Sequence, residues 1–303
     1  MREPHPRIVL GLHRSSYQPC SLAAALDLGI EAIDTAFNYQ EFTAHQTLAR
    51  FVDLLAEFRV STKVGYFPGP SGAIHSLDPG RLRYALEKTN QDLGRTPDLV
   101  FLHNPEHTLA QLAPGQARDC LTQACTVLAR ATKEGLCGAW GIASWRPGPL
   151  LGVINGGAPR PDVLMVRSGL LVGTDTIDAA ESLARQWNLP AAAMWGMSPF
   201  GGSATDPVWG RLNPRVFLRP DAAQACSPIQ AAFRAAYHLP RVATVAVGSD
   251  DPAHIRELID SLGVEADEST IARYRGLLRD QRTVSNSSSS RRASFRTGAP
   301  SST

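Results

Sequence analysis

Several functional classes are disfavoured by what the 303-residue sequence lacks. Its five cysteines (Cys20, Cys120, Cys125, Cys137 and Cys226) are scattered, odd in number and without a Cys-x-x-Cys pair. That argues against a disulfide framework or a structural zinc site and fits a reducing cytosol. There is no excess of one charge: 30 Lys+Arg against 28 Asp+Glu leave +2. Nucleic acid is therefore not the expected partner, because phosphate binding needs a concentrated basic surface. No apolar run approaches the ~20 residues of a membrane span. The opening Met1-Arg-Glu-Pro-His-Pro6 leads within a few residues into a strand-like run, so no signal peptide is expected and the expected location is the cytoplasm. His45, His75 and His238 have no spacing that suggests a metal, and none is expected.

What is present is a hydrophobic content of 43%, enough for a large core, distributed as short apolar runs that alternate with segments of helical period. The strand-like runs are Ile8–Leu12, Ile30–Asp34, Arg59–Lys63, Leu99–Leu102, Ala139–Ala143, Val163–Val166, Ala191–Met194 and Thr244–Val247. Between them the pattern predicts helices over 21–29 (Ser21 as cap), 43–58, 79–93 (Asp78 as cap), 120–134, 178–187, 228–237, 252–262 and 271–280. The strands are apolar throughout rather than alternating, as parallel strands buried on both faces are. Eight such units in this length predict a (β/α)8 TIM barrel over residues 1–283. A doubly wound sheet is the alternative, but its Gly-rich first turn is absent. Residues 197–226 form a long Gly-, Pro- and Asp-rich connection expected to shape a site. Residues 284–303, rich in Ser and Arg, are expected to be a disordered tail.

In such a barrel the chemistry lies at the C-terminal ends of the strands. The second strand ends in Asp34, the third in Lys63 and the fourth in His103, and Tyr39 follows Asp34 by five residues. A lone strand-end Asp or His is usually a cap or a satisfied core residue; three in succession point to a site. A phenol titrates near 10, a neighbouring ammonium favours its ionised form, and a carboxylate holds that ammonium in place. An imidazole can steer a carbonyl oxygen. The set suits protonation of an oxyanion as it forms on a carbonyl. Gly135, Gly138 and Gly141 bracket a strand, so they read as structural turns rather than a phosphate loop. His107, Phe37, Phe67, Trp195 and Trp209 are candidates for a pocket wall or for core.

These residues carry a family resemblance. Ile33-Asp34-Thr35-Ala36-Phe37-Asn38-Tyr39 resembles the Asp-Thr-Ala-x-x-Tyr motif of the aldo-keto reductases. Ser61-Thr62-Lys63-Val64-Gly65 resembles that family's third strand and Phe101-Leu102-His103-Asn104-Pro105 its strand-four His motif. The stretch from Arg81 to Leu93 with Leu99 onward, and Gly135 to Ser144, are similar to further family segments. The resemblance spans roughly residues 7–262 and implies a (β/α)8 barrel reducing a small aldehyde or ketone with NADP(H) or NAD(H). It implies Tyr39 as general acid, Asp34 and Lys63 tuning it, and His103 orienting the carbonyl.

The same resemblance implies where a nicotinamide cofactor would lie. Ser144 matches a family position; the next residue, usually Asn, is Trp145. Met165 stands where the family has Gln, and Met197 where a stacking Tyr is usual. After the eighth strand come Gly248, Ser249, Asp250, His254 and Glu257; Ser249 and Glu257 match, and Asp250 stands where one subfamily has the Arg that binds the 2′-phosphate. Discrimination in favour of NADPH is therefore expected to be reduced. These departures leave open a lyase, dehydratase or isomerase that keeps the acid–base set without a dinucleotide, or a non-catalytic binding subunit. The Ala-, Arg- and Pro-rich composition suggests a GC-rich bacterial source and a role in specialised metabolism.

Overall fold

The computed structural model describes residues 7–154 and 156–294, with 282–294 described by backbone only. In chain order the strands are β1 (Arg7–Gly11), β2 (Ala32–Asp34), β3 (Arg59–Val64), β4 (Tyr66–Gly69), β5 (Gly72–His75), β6 (Leu99–His103), β7 (Ala139–Ser144), β8 (Val163–Arg167), β9 (Met194–Met197) and β10 (Thr244–Val247). Eight of them close into a barrel in the order β1-β10-β9-β8-β7-β6-β3-β2, every pairing parallel, while β4 and β5 form a separate antiparallel hairpin. The expected (β/α)8 barrel is thus the observed fold.

Strand composition follows from this closure. Every residue of β6 and β10 is buried, because one face looks into the barrel and the other under helices. The interior is filled by Val9, Leu99, Phe101, Ala143, Met165 and Ala246, with Trp195 and Met197 packed on them. A larger outer layer joins the strands to the helices Pro79–Leu93, Pro114–Lys133 and Thr174–Gln186. Helix starts are set by proline in the first turn at Pro19, Pro79, Pro114, Pro228 and Pro252, where the missing N–H costs nothing. Asp78 accepts from the Arg81 amide at 2.8 Å, as expected of a cap.

The structure corrects several boundaries. Helix Pro19–Asp27 begins before Ser21, because Pro19 takes the first turn and Gln18 the cap. The segment expected as one helix over 43–58 is two short ones, Ala44–Ala49 and Val52–Ala56. Ala191–Ala193 is a 3-10 turn and β9 begins only at Met194: three alanines bring no β preference, whereas Met194–Met197 pairs with β8 and β10. The last helix runs from Glu268 to Ser294, across the 283–284 boundary read from composition. Residues 284–294, expected as part of the tail, have helical backbone. Residues 295–303 lie outside the described residues. No helix among the described residues is long and apolar enough to cross a membrane.

Of the glycines read as turns, Gly135 (φ +76°) follows helix Pro114–Lys133 and Gly141 lies inside β7. A Cβ at Gly141 would stand 2.6 Å from the Val163 carbonyl oxygen and 2.8 Å from the Phe101 ring. Gly141→Ala should therefore cost about 1–3 kcal/mol by overpacking the barrel interior. Thermal unfolding should show Tm lowered by several degrees; an unchanged Tm would show that the interior has slack.

His45 generates a second expectation. It is buried against β3, with Nε2 and Thr62 Oγ1 2.8 Å apart. Burial, with a smaller contribution from Lys63 and against the pull of Asp92, lowers its pKa from 6.5 to about 4. Between those values the unfolded chain binds a proton that the folded chain refuses, so stability is complete above pH 6.5 and is lost as pH falls toward 4. Tm should rise over that window, and His45→Gln should flatten the rise; an equal slope in the variant would show that His45 is not held neutral.

Candidate active site

Asp34 and Lys63 close neighbouring strands and meet inside the barrel mouth, at 4% and 2% exposure. The Lys63 ammonium has three hydrogens and three acceptors: Asp34 Oδ2, the Thr35 carbonyl oxygen at 2.8 Å and the Tyr39 hydroxyl oxygen at 3.3 Å. The other Asp34 oxygen accepts from Ser61 Oγ at 2.9 Å. Burial alone would discharge Lys63, but Asp34 and then Tyr39 outweigh it and its pKa is raised. The ammonium is permanent at neutral pH.

Tyr39 keeps part of its ring open to the cavity, while its hydroxyl sits among buried groups. Burial raises the phenol pKa, with Lys63 pulling the other way. This corrects the expectation that the ammonium would prevail: desolvation is the larger effect and Tyr39 stays a neutral phenol. Its position is held by an unusual backbone, in which the next three residues, Gln40 (φ 47°), Glu41 (φ 51°) and Phe42 (φ 71°), are all left-handed without a glycine among them. That conformation costs roughly 1–2 kcal/mol per residue. Thr43 Oγ1 bridges back to the Gln40 carbonyl at 2.6 Å.

His103 ends β6 with its ring centroid 6.4 Å from that of Tyr39. Burial, then the charge of Lys63 and the neighbouring His75, His13 and His107, holds its pKa well below 6.5, so it is a neutral imidazole. Its Nδ1 is buried and has no partner among the described residues. The β4–β5 hairpin, a device not anticipated from sequence, folds against it. Tyr66 lies edge-on to His103 at 4.9 Å, and His75 donates from Nε2 to the His103 carbonyl at 2.8 Å. The Tyr66 hydroxyl lies 3.1 Å from His107 Nδ1, so His107 belongs to the rim.

From Tyr39 and Lys63 a cavity of about 620 Å³ runs past Trp145 and Met197 to the turn after β10. Gly248, Ser249, Asp250, His254 and Glu257 all line it, so the structure brings the expected far-end residues together with the acid–base set. Two of them already have strong partners. Asp250 accepts from Ser15 Oγ at 2.6 Å and from the Ser16 amide at 2.7 Å, which ties the loop after β1 to the turn after β10. Glu257 accepts from Ser227 Oγ. Ser144 is fully buried, its hydroxyl without a partner among the described residues. Met165 is a correction: it is wholly buried in the barrel interior beside Phe101 and does not line the cavity, because its position on β8 lies below the mouth. Phe37, Phe67 and Trp209 are core residues, and Trp195 packs in the barrel interior.

Sequence reasoning missed Glu106 and Arg167. Glu106 is buried and accepts from the Trp145 and Arg146 amides at 2.8 and 2.9 Å, fixing the turn after β7. Arg167 extends β8 one residue beyond the predicted end and lays its guanidinium over the Trp145 ring at 4.8 Å. Two residues on from inward-facing Met165, it was readable as an Arg at the barrel mouth had the strand been ended correctly.

Comparison with known proteins agrees with this geometry. The Aldo/keto reductase family model matches residues 14–154. A search of curated proteins by sequence found no match. Among solved structures, an aldo-keto reductase from Bacillus halodurans in its holo form has a TM-score of 0.64 at 15% identity, over 91% of this chain and 95% of that one. An aldo/keto reductase from Klebsiella pneumoniae, in complex with NADP and acetate, has a TM-score of 0.65 at 15% identity, over 90% and 92% of the two chains. An aldo-keto reductase from a Medee basin deep-sea metagenome library has a TM-score of 0.66 at 17% identity, over 89% and 90%. The chain is thus similar to the aldo/keto reductase family over residues 14–154, and it has the (β/α)8 fold of these solved structures.

Proposed function

We propose that the protein reduces a small aldehyde or ketone with NADPH or NADH, Tyr39 acting as general acid. The observation that carries this reading is the direction of the hydrogen bond at Tyr39. Lys63 has no proton to accept and donates to the hydroxyl oxygen, and among the described residues no acceptor takes the Tyr39 proton. That proton is free to point into the cavity. As charge develops on a carbonyl oxygen there, Tyr39 gives up its proton and the fixed Lys63 charge stabilises the phenolate left behind. Neutral His103 cannot act as an imidazolium acid; it supplies one hydrogen bond that orients the carbonyl.

The residues fit a nicotinamide dinucleotide. Ser144 has a buried hydroxyl without a partner among the described residues, Trp145 and Met197 offer flat or pliable apolar surface, and the cavity reaches Ser249, Asp250 and His254 at the start of helix Pro252–Asp260. A bound reduced nicotinamide would supply the hydride. Neighbouring structures solved with NADP and with NADPH support the choice of cofactor class. Asp250, kept charged beside the outer end of the cavity, disfavours a 2′-phosphate and so narrows any preference for NADPH. A soluble cytoplasmic enzyme of specialised metabolism, without nucleic-acid or membrane partners, belongs to the same reading and rests on composition.

The competing reading is a cofactor-free lyase, dehydratase or isomerase, favoured by the burial of Met165 where a carboxamide-binding Gln is usual. Titration with NADPH and NADH separates the two. We expect at least one to bind, and Tyr39→Phe to lower kcat by about 10²–10⁴-fold while leaving that binding within about twofold. Wild-type turnover by the variant removes Tyr39 from its role. Failure of both nucleotides to bind at millimolar concentration removes hydride transfer and leaves the lyase or isomerase.

A further inference from the structure

Arg167 has no counter-charge among the described residues. Among the described residues its contact is the Trp145 ring; it makes no ion pair and no hydrogen bond, and its Nε is buried without a partner. Other half-buried arginines among the described residues have an acid: Arg275 pairs with Glu181 at 2.6 Å, Arg83 with Glu87 at 2.6 Å and Arg95 with Asp98 at 3.3 Å. A partly desolvated guanidinium left alone is costly, and burial depresses its pKa accordingly. Its place is the mouth of the barrel. Arg167 is in register with Met197, which lines the cavity, and its stacking partner Trp145 lines the same space as Tyr39 and Lys63.

Among the described residues no acid of this region pairs with Arg167, although Glu106 keeps its Oε2 buried without a partner. Asp34 holds Lys63, Glu106 holds two backbone amides, Asp250 holds the β1 loop and Glu257 holds Ser227. Nothing among the described residues neutralises Arg167, so the partner it fits is an anion brought by the ligand. A carboxylate matches a single planar guanidinium through two parallel N–H···O bonds, whereas a phosphoryl dianion would call for more than one cation.

Resting on the carbonyl-reduction reading, we propose that Arg167 is a substrate-binding residue that seats the carboxylate of an oxo-acid, so that the preferred substrates are aldehydes or ketones bearing a carboxylate. Trp145, which lines the cavity, holds the guanidinium against its ring at 4.8 Å, beside that space.

The test pairs 4-oxobutanoate with its methyl ester, and 4-hydroxybutanoate with 4-hydroxybutanamide, on wild type, Arg167→Met and Arg167→Lys. Wild type should favour the acid over the ester in kcat/KM by about 10–150-fold, chiefly through KM. In Arg167→Met that ratio should collapse toward unity; Arg167→Lys, which keeps the charge but not the fork, should retain part of it. Calorimetry should show 4-hydroxybutanoate binding more tightly than the amide to wild type and Arg167→Lys, and equally to Arg167→Met. A wild-type ratio near one, or an Arg167→Met ratio equal to wild type, overturns the proposal. If no carbonyl compound is turned over with either nucleotide, the reductase reading is what has failed. The calorimetric pair then decides on Arg167 alone: equal binding of acid and amide to wild type overturns it, and selective binding that Arg167→Met abolishes supports it.

Discussion

The Asp34–Lys63 ion pair is the constraint on which the mouth of the barrel depends. Two buried charges each cost several kcal/mol to desolvate, and a buried pair that loses one partner typically costs about 3–5 kcal/mol. The pair is tolerable because its remaining valences are filled: Ser61 bonds the second Asp34 oxygen and the Thr35 carbonyl takes a second Lys63 proton. Those partners arrive by strand register, Asp34 lying opposite Ser61 across β2 and β3. Such a pair is weak as a source of stability. Its consequence is chemical, since the one Lys63 hydrogen left over fixes which way the Tyr39 hydroxyl faces.

Strained backbone gathers around the same rim. Besides Gln40, Glu41 and Phe42, the non-glycine residues with positive φ include Tyr17, Asn104 and Ser198, which follow β1, β6 and β9. By contrast, the helix ends at Gly29, Gly94 and Gly135 use glycine for the same conformation, where it costs little. Apart from Asn188 (φ 48°), just past helix Thr174–Gln186, where Asn tolerates the conformation, the chain accepts this strain at the rim, where side chains are aimed. Packing offsets the cost: Tyr17 is buried, with its hydroxyl 3.0 Å from Thr35 Oγ1.

How much of this was legible in the sequence varies with the range of the interaction. Strands buried on both faces are continuous apolar runs, so the barrel and the four strand-end groups could be read locally. The β4–β5 hairpin could not, because Tyr66-Phe-Pro-Gly-Pro-Ser-Gly-Ala-Ile-His75 has the Pro and Gly content of a loop and packs through contacts distant in sequence, Phe67 in the core and Tyr66 on His103. Met165 was misplaced for a related reason: position along a strand sets depth in the barrel, and one or two residues separate a wall of the cavity from the interior. The phenol of Tyr39 was misjudged because charge proximity is visible in a motif and desolvation is not. Arg167 escaped because its signal is the lack of a partner, which only the folded chain reveals.

The mouth divides electrostatically into two halves. Along β10, β1, β2 and β3 the ionisable groups are satisfied within the protein: Asp250 by the loop after β1, Asp34 and Lys63 by each other. Along β6, β7 and β8, three consecutive strands each end in a buried polar atom without a partner among the described residues, His103 Nδ1, Ser144 Oγ and Arg167 Nε. Each such atom costs about 1–3 kcal/mol when left unpaired. Scattered orphans would be defects of packing; three on adjacent strands of one rim, beside the phenol, mark the side from which a polar ligand completes the fold. The first half sets the acid in place, and the second awaits the groups that acid is to act upon.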